Sequence, residues 1–217
     1  VAGEALLRFI QPDGTVLNTG SAIAAAEASG LILDLGRWAM RQSMHQHRRL
    51  LEAGLALRLN VNLSPAQIQS NQITRIFDDA FAATGFDPNY LNIEVTEGIF
   101  MEGDARTIDF LEWLRGKGAR IHIDDFGTGY SSLSYLRKLP VDGLKIDRSF
   151  VMDMVDNPDC SAVIGSIVGV GNALGLELTA EGVETPNQRD ALIRLGVEKL
   201  QGFLYAKALP HDAFLAY

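Results

Sequence analysis

Along this chain, short apolar runs recur between longer stretches whose apolar residues step by three and four, as Ile108, Leu111 and Leu114 do. The short runs predict strands over 5–9, 57–62, 91–96, 120–124, 143–146, 177–180 and 199–204. The longer stretches predict helices over 21–28, 31–50, 65–84, 105–117, 131–139, 162–174 and 185–195. Ser64-Pro65 and Thr185-Pro186 read as helix starts, and Gly85, Gly118 and Gly196 as stops. Strands separated by helices pair in parallel through right-handed crossovers, which narrows the architecture to a closed barrel or an open doubly wound sheet.

The polar residues at the strand ends favour the barrel. Asn62, Glu94, Asp124, Lys145, Asp147, Glu181 and Gln201 fall at or just past the ends of successive strands, and Glu4 sits at the edge of the first. A (β/α)8 barrel gathers all its strand ends on one face, whereas an open sheet shares only a switch-point crevice. The expected fold class is therefore α/β, a TIM-type (β/α)8 barrel. Seven strands are one short of eight, so the expectation is a single domain over residues 1–217 that lacks its N-terminal strand and belongs to a longer protein.

Composition narrows the function classes. Apolar residues at 47% against 21% charged give enough material for a core and argue against disorder. A formal charge of −8 argues against a general DNA- or RNA-binding surface, because phosphate contacts need clustered Lys and Arg. A lone cysteine, Cys160, rules out an internal disulfide and permits a reducing compartment, with the cytoplasm as the expected location.

The strand-end groups are oxygen ligands. Glu4, Asn62, Glu94, Asp124, Asp125 and Glu181 come without a His-Cys set, which suits hard cations such as Mg²⁺ or Mn²⁺ better than zinc. Carboxylates crowded on one face repel unless cations sit among them, so the charge is expected to be offset by metal rather than by Lys or Arg. Two divalent ions about 3.5–4 Å apart would serve and would activate a water between them. The stretch IHIDDFGTGYSSLSY poses a local problem, because consecutive strand residues point to opposite sides. Asp124 and Asp125 can share a face only if the chain turns there, and Phe126-Gly127 is the expected turn. Lys145 is placed to orient a metal-bound hydroxide or to meet charge on a phosphate. Taken singly, each of these has an ordinary reading: Asp-Asp before glycines is a turn or cap, and His122 is a strand histidine rather than a ligand. Their recurrence at the same end of successive strands carries the metal-site reading. His45, His47 and His211 are given no role.

Seven motifs then stand in order: EALLR at 4–8, NVNLS at 60–64, EVTE at 94–97, DDFGTGYSSLSYL at 124–136, LPVDGLKIDRSFV at 139–151, AEGVET at 180–185 and QGFLYAKALP at 201–210. In these the chain resembles the EAL-family domains, the cyclic di-GMP phosphodiesterases. The resemblance implies a barrel with one antiparallel strand and cleavage of one phosphodiester of cyclic di-GMP to give linear pGpG. It implies two Mg²⁺ or Mn²⁺ ions, with Glu4, Asn62, Glu94 and Asp124 holding one and Asp124, Asp125 and Glu181 the other. Lys145 would contact the nucleophilic water, with Glu4 and Glu181 counted in the catalytic set. Arg8, Asp147, Glu184 and Gln201 fall on the substrate side, and Glu97 steadies the loop after Asp125. A homodimer and upstream sensor, transmembrane or GGDEF modules are further implications. The family's preceding strand, with its Gln-Pro-Ile substrate contacts, is absent here. Two other function classes stand beside the enzyme: a non-catalytic cyclic di-GMP receptor and an interaction scaffold. The complete acid set weighs against both.

Overall fold

The computed structural model describes residues 1–100, 105–129 and 136–216. Two compact units emerge, one of Val1–Ile93, Gly116–Ala119 and His211–Tyr217, the other of Glu94–Arg115 and Arg120–Pro210.

In the first unit, strand β1 (Ala2–Glu4) pairs in parallel with β2 (Arg58–Asn62), placing Glu4 opposite Asn60. The strand expected over 5–9 thus lies earlier: Ala5 still donates to the Asn60 carbonyl, but Leu6 beyond it is exposed. Helix α1 (Thr19–Ala28) is capped by the Asn18 side chain, and α2 (Ile32–Glu52) turns Met40, Met44, His47 and Leu50 inward. The helix expected over 65–84 is two helices, α3 (Pro65–Ile68) and α4 (Ile73–Thr84). The polar stretch Ser70-Asn71-Gln72 separates them. Ile73, Ile76, Phe77, Ala80 and Thr84 form the buried stripe of α4, and the Thr84 hydroxyl lies 3.7 Å from Met44 Sδ. Burying a side chain such as Phe77 contributes about 1.5–3 kcal/mol. His47 is a structural group, its Nε2 2.7 Å from the Leu57 carbonyl. Helix α9 (His211–Leu215), which periodicity did not suggest, is held to α2 by an Arg49–Asp212 pair at 3.0 Å.

Strand β3 (Leu91–Thr96) gives its last three residues to the second unit. There β4 (Arg120–Phe126), β5 (Gly143–Ile146), β6 (Glu177–Ala180) and β7 (Lys199–Leu200) pair consecutively and in parallel. All four residues of β5 are buried, as expected of a parallel strand covered on both faces. The antiparallel strand expected of the barrel is not among the pairings of either unit described above. Helices α5 (Ala105–Gly116), α6 (Arg148–Asp153), α7 (Pro158–Leu174) and α8 (Pro186–Leu195) intervene. Six-residue α6 is too short for a periodic signal, and the helix expected over 131–139 lies mostly outside the described residues. Strand β7 stops two residues into the run expected to reach 204, because the chain bends at Gly202.

The N-terminal ends of β4 to β7 carry an ionic set. Arg115 makes two bonds to Asp142, at 2.8 and 3.2 Å, and Asp142 also accepts from the Ile121 N–H at 2.9 Å. Glu177 pairs with Arg120 at 3.2 Å and with Lys199 at 2.5 Å. Its burial would push its carboxyl up, but Lys199 leads the opposing interactions, and the carboxyl is held below its usual range. His122 is buried beside this set, Nε2 3.8 Å from Glu177, and burial drives its pKa down to about 4. It is therefore neutral at ordinary pH.

Candidate active site

The opposite end of the same strands gathers the acids. Lys145 projects from β5 with 1% of its side chain exposed, and its Nζ lies 2.9 Å from Glu94 Oε2, 3.2 Å from Asp124 Oδ1 and 2.5 Å from Glu181 Oε1. Neighbouring strands explain the convergence: Lys145 stands opposite Thr179 of β6, two residues before Glu181, whose N–H donates to the Ile146 carbonyl. Part of the charge offset expected of metal alone thus comes from a lysine. Three carboxylates around one ammonium still leave the group negative.

Asp125 adds a fourth. The register between β4 and β5 slips between Ile123 and Phe126, and Asp125 is the one non-glycine residue of the described chain with a left-handed backbone, at φ 52°. The turn expected at Phe126-Gly127 therefore begins one residue earlier, inside a strand that runs on to Phe126. Aspartate tolerates this region better than most residues. The bulge undoes the strand's alternation, so that carboxylate oxygens of Asp124, Asp125 and Glu181 all lie within 4.8 Å of one another. Burial first, and then the Asp124 charge and a hydrogen bond with Asp147, raise the Asp125 pKa to about 6. Burial acts upward on Asp147 as well, but the Ser149 hydroxyl and N–H hold that carboxyl low. Asp147 thereby caps helix α6.

Such an all-oxygen set of clustered, partly desolvated carboxylates is the chemistry a hard divalent cation fits. In the other unit the Asn62 amide donates to Glu4 Oε1 at 2.7 Å, and both side chains carry oxygens of the same hard kind. Of the remaining residues singled out in the sequence, Glu97 is buried and its Oε2 accepts from the Gly127 N–H at 3.2 Å. Its Oε1 has no hydrogen-bond donor among the described residues, and a side chain on Gly129 would crowd it. Gln201 is fixed through its backbone, donating to Ala180 at 2.8 Å and accepting from Val183 at 3.0 Å. The Glu184 side chain is exposed, and so is Arg8, whose guanidinium donates to the Leu7 carbonyl at 2.8 Å.

Sequence reasoning missed Gln188. It accepts from the Glu184 and Thr185 N–H groups and donates to the Val151 and Met152 carbonyls. The pattern Thr185-x-x-Gln188 before an apolar run is a capping-box signature and was legible as such.

A family model described as "EAL domain" matches residues 1–208. The chain belongs to the EAL domain family. Among curated relatives of this EAL domain is the bifunctional diguanylate cyclase/cyclic di-GMP phosphodiesterase MucR of Pseudomonas aeruginosa, 39% identical over 98% of the chain and 31% of the relative. Another is the cyclic di-GMP phosphodiesterase PdeR of Escherichia coli, 36% identical over 97% of the chain and 32% of the relative. The EAL domain thus spans about a third of either protein. A solved structure, the PaMucR phosphodiesterase in complex with c-di-GMP, superposes with a TM-score of 0.94 at 38% identity, covering 98% of this chain and 87% of that one. The fold is accordingly the TIM-type barrel class of EAL domains. No helix among the described residues is long and apolar enough to cross a membrane.

Proposed function

We propose that this EAL domain hydrolyses cyclic di-GMP to linear pGpG with two divalent cations, Mg²⁺ or Mn²⁺. The observation that carries the reading is the buried Lys145 ammonium among Glu94, Asp124 and Glu181, with Asp125 brought alongside by the β4 bulge. An acid cluster without purpose would be a costly burial, whereas cations and a phosphodiester give each charge a partner. The names of MucR and PdeR support the substrate and the reaction class.

In this reading Glu94, Asp124, Asp125 and Glu181 are metal ligands, and the motifs assign Glu4 and Asn62 to the same ligand set. Held by these residues, divalent cations would supply Lewis acidity that lowers the pKa of the attacking water and offsets charge building on the phosphate. Lys145 donates a hydrogen bond to the water and holds its oxygen in line with phosphorus. The water oxygen bonds to phosphorus, the P–O3′ bond breaks, and the water's proton ends on the departing 3′-oxygen. Arg8, Asp147, Glu184 and Gln201 are proposed to face the dinucleotide, and Glu97 to steady the loop after Asp125 through Gly127. The homodimer and the identity of the upstream signalling modules are proposed on the resemblance, and cytoplasmic placement on the lone Cys160.

The test is incubation of the chain with cyclic di-GMP and Mg²⁺ or Mn²⁺, followed by chromatography. Release of pGpG that stops on chelation is expected. Tight binding of cyclic di-GMP with no product would replace the enzyme by the receptor reading.

A further inference from the structure

Gln188, in the first turn of α8, is 7% exposed and uses both ends of its amide. Its Oε1 accepts from Glu184 N at 2.8 Å and Thr185 N at 2.9 Å; its Nε2 donates to the Val151 carbonyl at 3.2 Å and the Met152 carbonyl at 3.3 Å. N–H donors on one side and carbonyls on the other leave the amide a single satisfactory orientation. The capping box of α8 accounts for one of these four bonds, that from Thr185 N.

The other three join two segments that carry the acid site. Val151 and Met152 lie in the last turn of α6, where carbonyls lack intrahelical partners. That helix is capped by Asp147, two residues after Lys145 in β5. Glu184 lies in the loop that leaves β6 through Glu181. The far side of this loop is zipped to the segment after β7, where Val183 donates to Gln201 and Leu204 donates to Val183 at 2.9 Å. Gln188 closes the near side.

We propose that Gln188 is a positioning residue for the metal-binding carboxylates: by fastening the Glu181–Thr185 loop to helix α6 it sets Glu181 against Lys145. The inference rests on the proposed function. Outer partners that orient ligating groups typically change metal affinity about 10–100-fold when removed.

The test uses the full chain and three substitutions. Gln188→Leu keeps the bulk and removes all four bonds; Gln188→Glu keeps the two acceptors but turns a carboxylate toward the Val151 and Met152 carbonyls. Thr185→Ala removes the cap hydroxyl, which accepts from Gln188 N at 3.3 Å, and leaves the amide bonds in place. Mn²⁺ binding is titrated without substrate by the electron-spin signal of free Mn²⁺, beside thermal melts and kcat and KM for cyclic di-GMP. Both Gln188 variants are expected to bind Mn²⁺ at least about 10-fold more weakly and to lose kcat by a similar factor with KM little changed. Thr185→Ala is expected to melt earlier with Mn²⁺ affinity unchanged. If Gln188→Leu does not fold, Gln188→Glu decides. Wild-type Mn²⁺ affinity in a folded Gln188 variant, equal weakening in Thr185→Ala, or loss of fold in both Gln188 variants makes the residue purely structural and overturns the proposal. A wild-type chain that binds Mn²⁺ but releases no pGpG removes the enzyme reading while the effect on affinity is still read; one that binds no Mn²⁺ removes both.

Discussion

Gly202 packs against the backbone of Val183 so closely that a β-carbon there would overlap the Val183 nitrogen and oxygen. The contact is made where the chain leaving β7 meets the loop leaving β6, and backbone bonds from Val183 to Gln201 and from Leu204 to Val183 run through it. Neither partner can yield, since both are main chain. Gly202→Ala is therefore expected to cost about 1–3 kcal/mol, lowering Tm by roughly 2–12 °C for a domain of this size. Because Glu181 is in the displaced loop, turnover should fall further than stability. A melt and rate equal to wild type would show that the loop is not clamped there.

Lys145 offers a sharper discrimination. Lys145→Met leaves Glu94, Asp124 and Glu181 facing one another without a cation, and breaking a buried pair of this kind costs about 3–5 kcal/mol. Denaturant unfolding of the metal-free variant should show the loss. Added Mn²⁺ should restore more stability to the variant than it gives wild type, while turnover stays at least about 10²-fold down. Mn²⁺ that stabilises the variant no more than wild type would mean that the three carboxylates do not share the ion.

The ligand set predicts its own pair of losses. Glu4→Ala and Asp124→Ala should each abolish measurable pGpG release without unfolding the chain, by circular dichroism. An undiminished rate in either would remove that residue from the metal site.

His122 gives a pH prediction. Its ring is held neutral by burial down to about pH 4, whereas an unfolded histidine protonates near 6.5. Between those values the unfolded chain binds more protons, so stability rises with pH across the window. The contribution is complete above about 6.5 and drains as the pH falls toward 4. In His122→Gln that part of the acid sensitivity, up to about 3 kcal/mol, should vanish. Parallel unfolding curves for the two proteins from pH 7 to 4 would contradict the assignment.

Much of the fold was legible because parallel strands buried on both faces, such as 143–146, stand out as short apolar runs between helical periodicities. The errors have local causes. The run Ala5–Phe9 is apolar enough for a strand, but pairing with β2 is used up at Glu4, and Leu6 is left exposed. Helix α6 hid because six residues are too few for a periodic signal, and only its cap, Asp147 receiving the Ser149 N–H, marks its start. The acids were legible one by one at their strand ends. That the Lys145 ammonium, expected on the same face, would pair directly with three of them was not, since it depends on which strand lies beside which and in what register. The left-handed Asp125 was foreseen only as a need for some turn, because aspartate is the residue type that serves either a strand end or such a bend.

Strand β4 carries two unlike tasks within seven residues. At its start, Arg120 joins an ionic set whose concern is cohesion, with the neutral His122 packed beside it, and at its end Asp124 and Asp125 stand in the acid cluster. With about 3.3 Å per residue, Asp124 lies only about 7–13 Å along the strand from His122 and Arg120. A residue-by-residue scan along this one strand would then trace a gradient, substitutions at the front registering in the melting curve and those at the back in the product peak. The crossover should fall at Ile123, the last position before the bulge breaks the alternation.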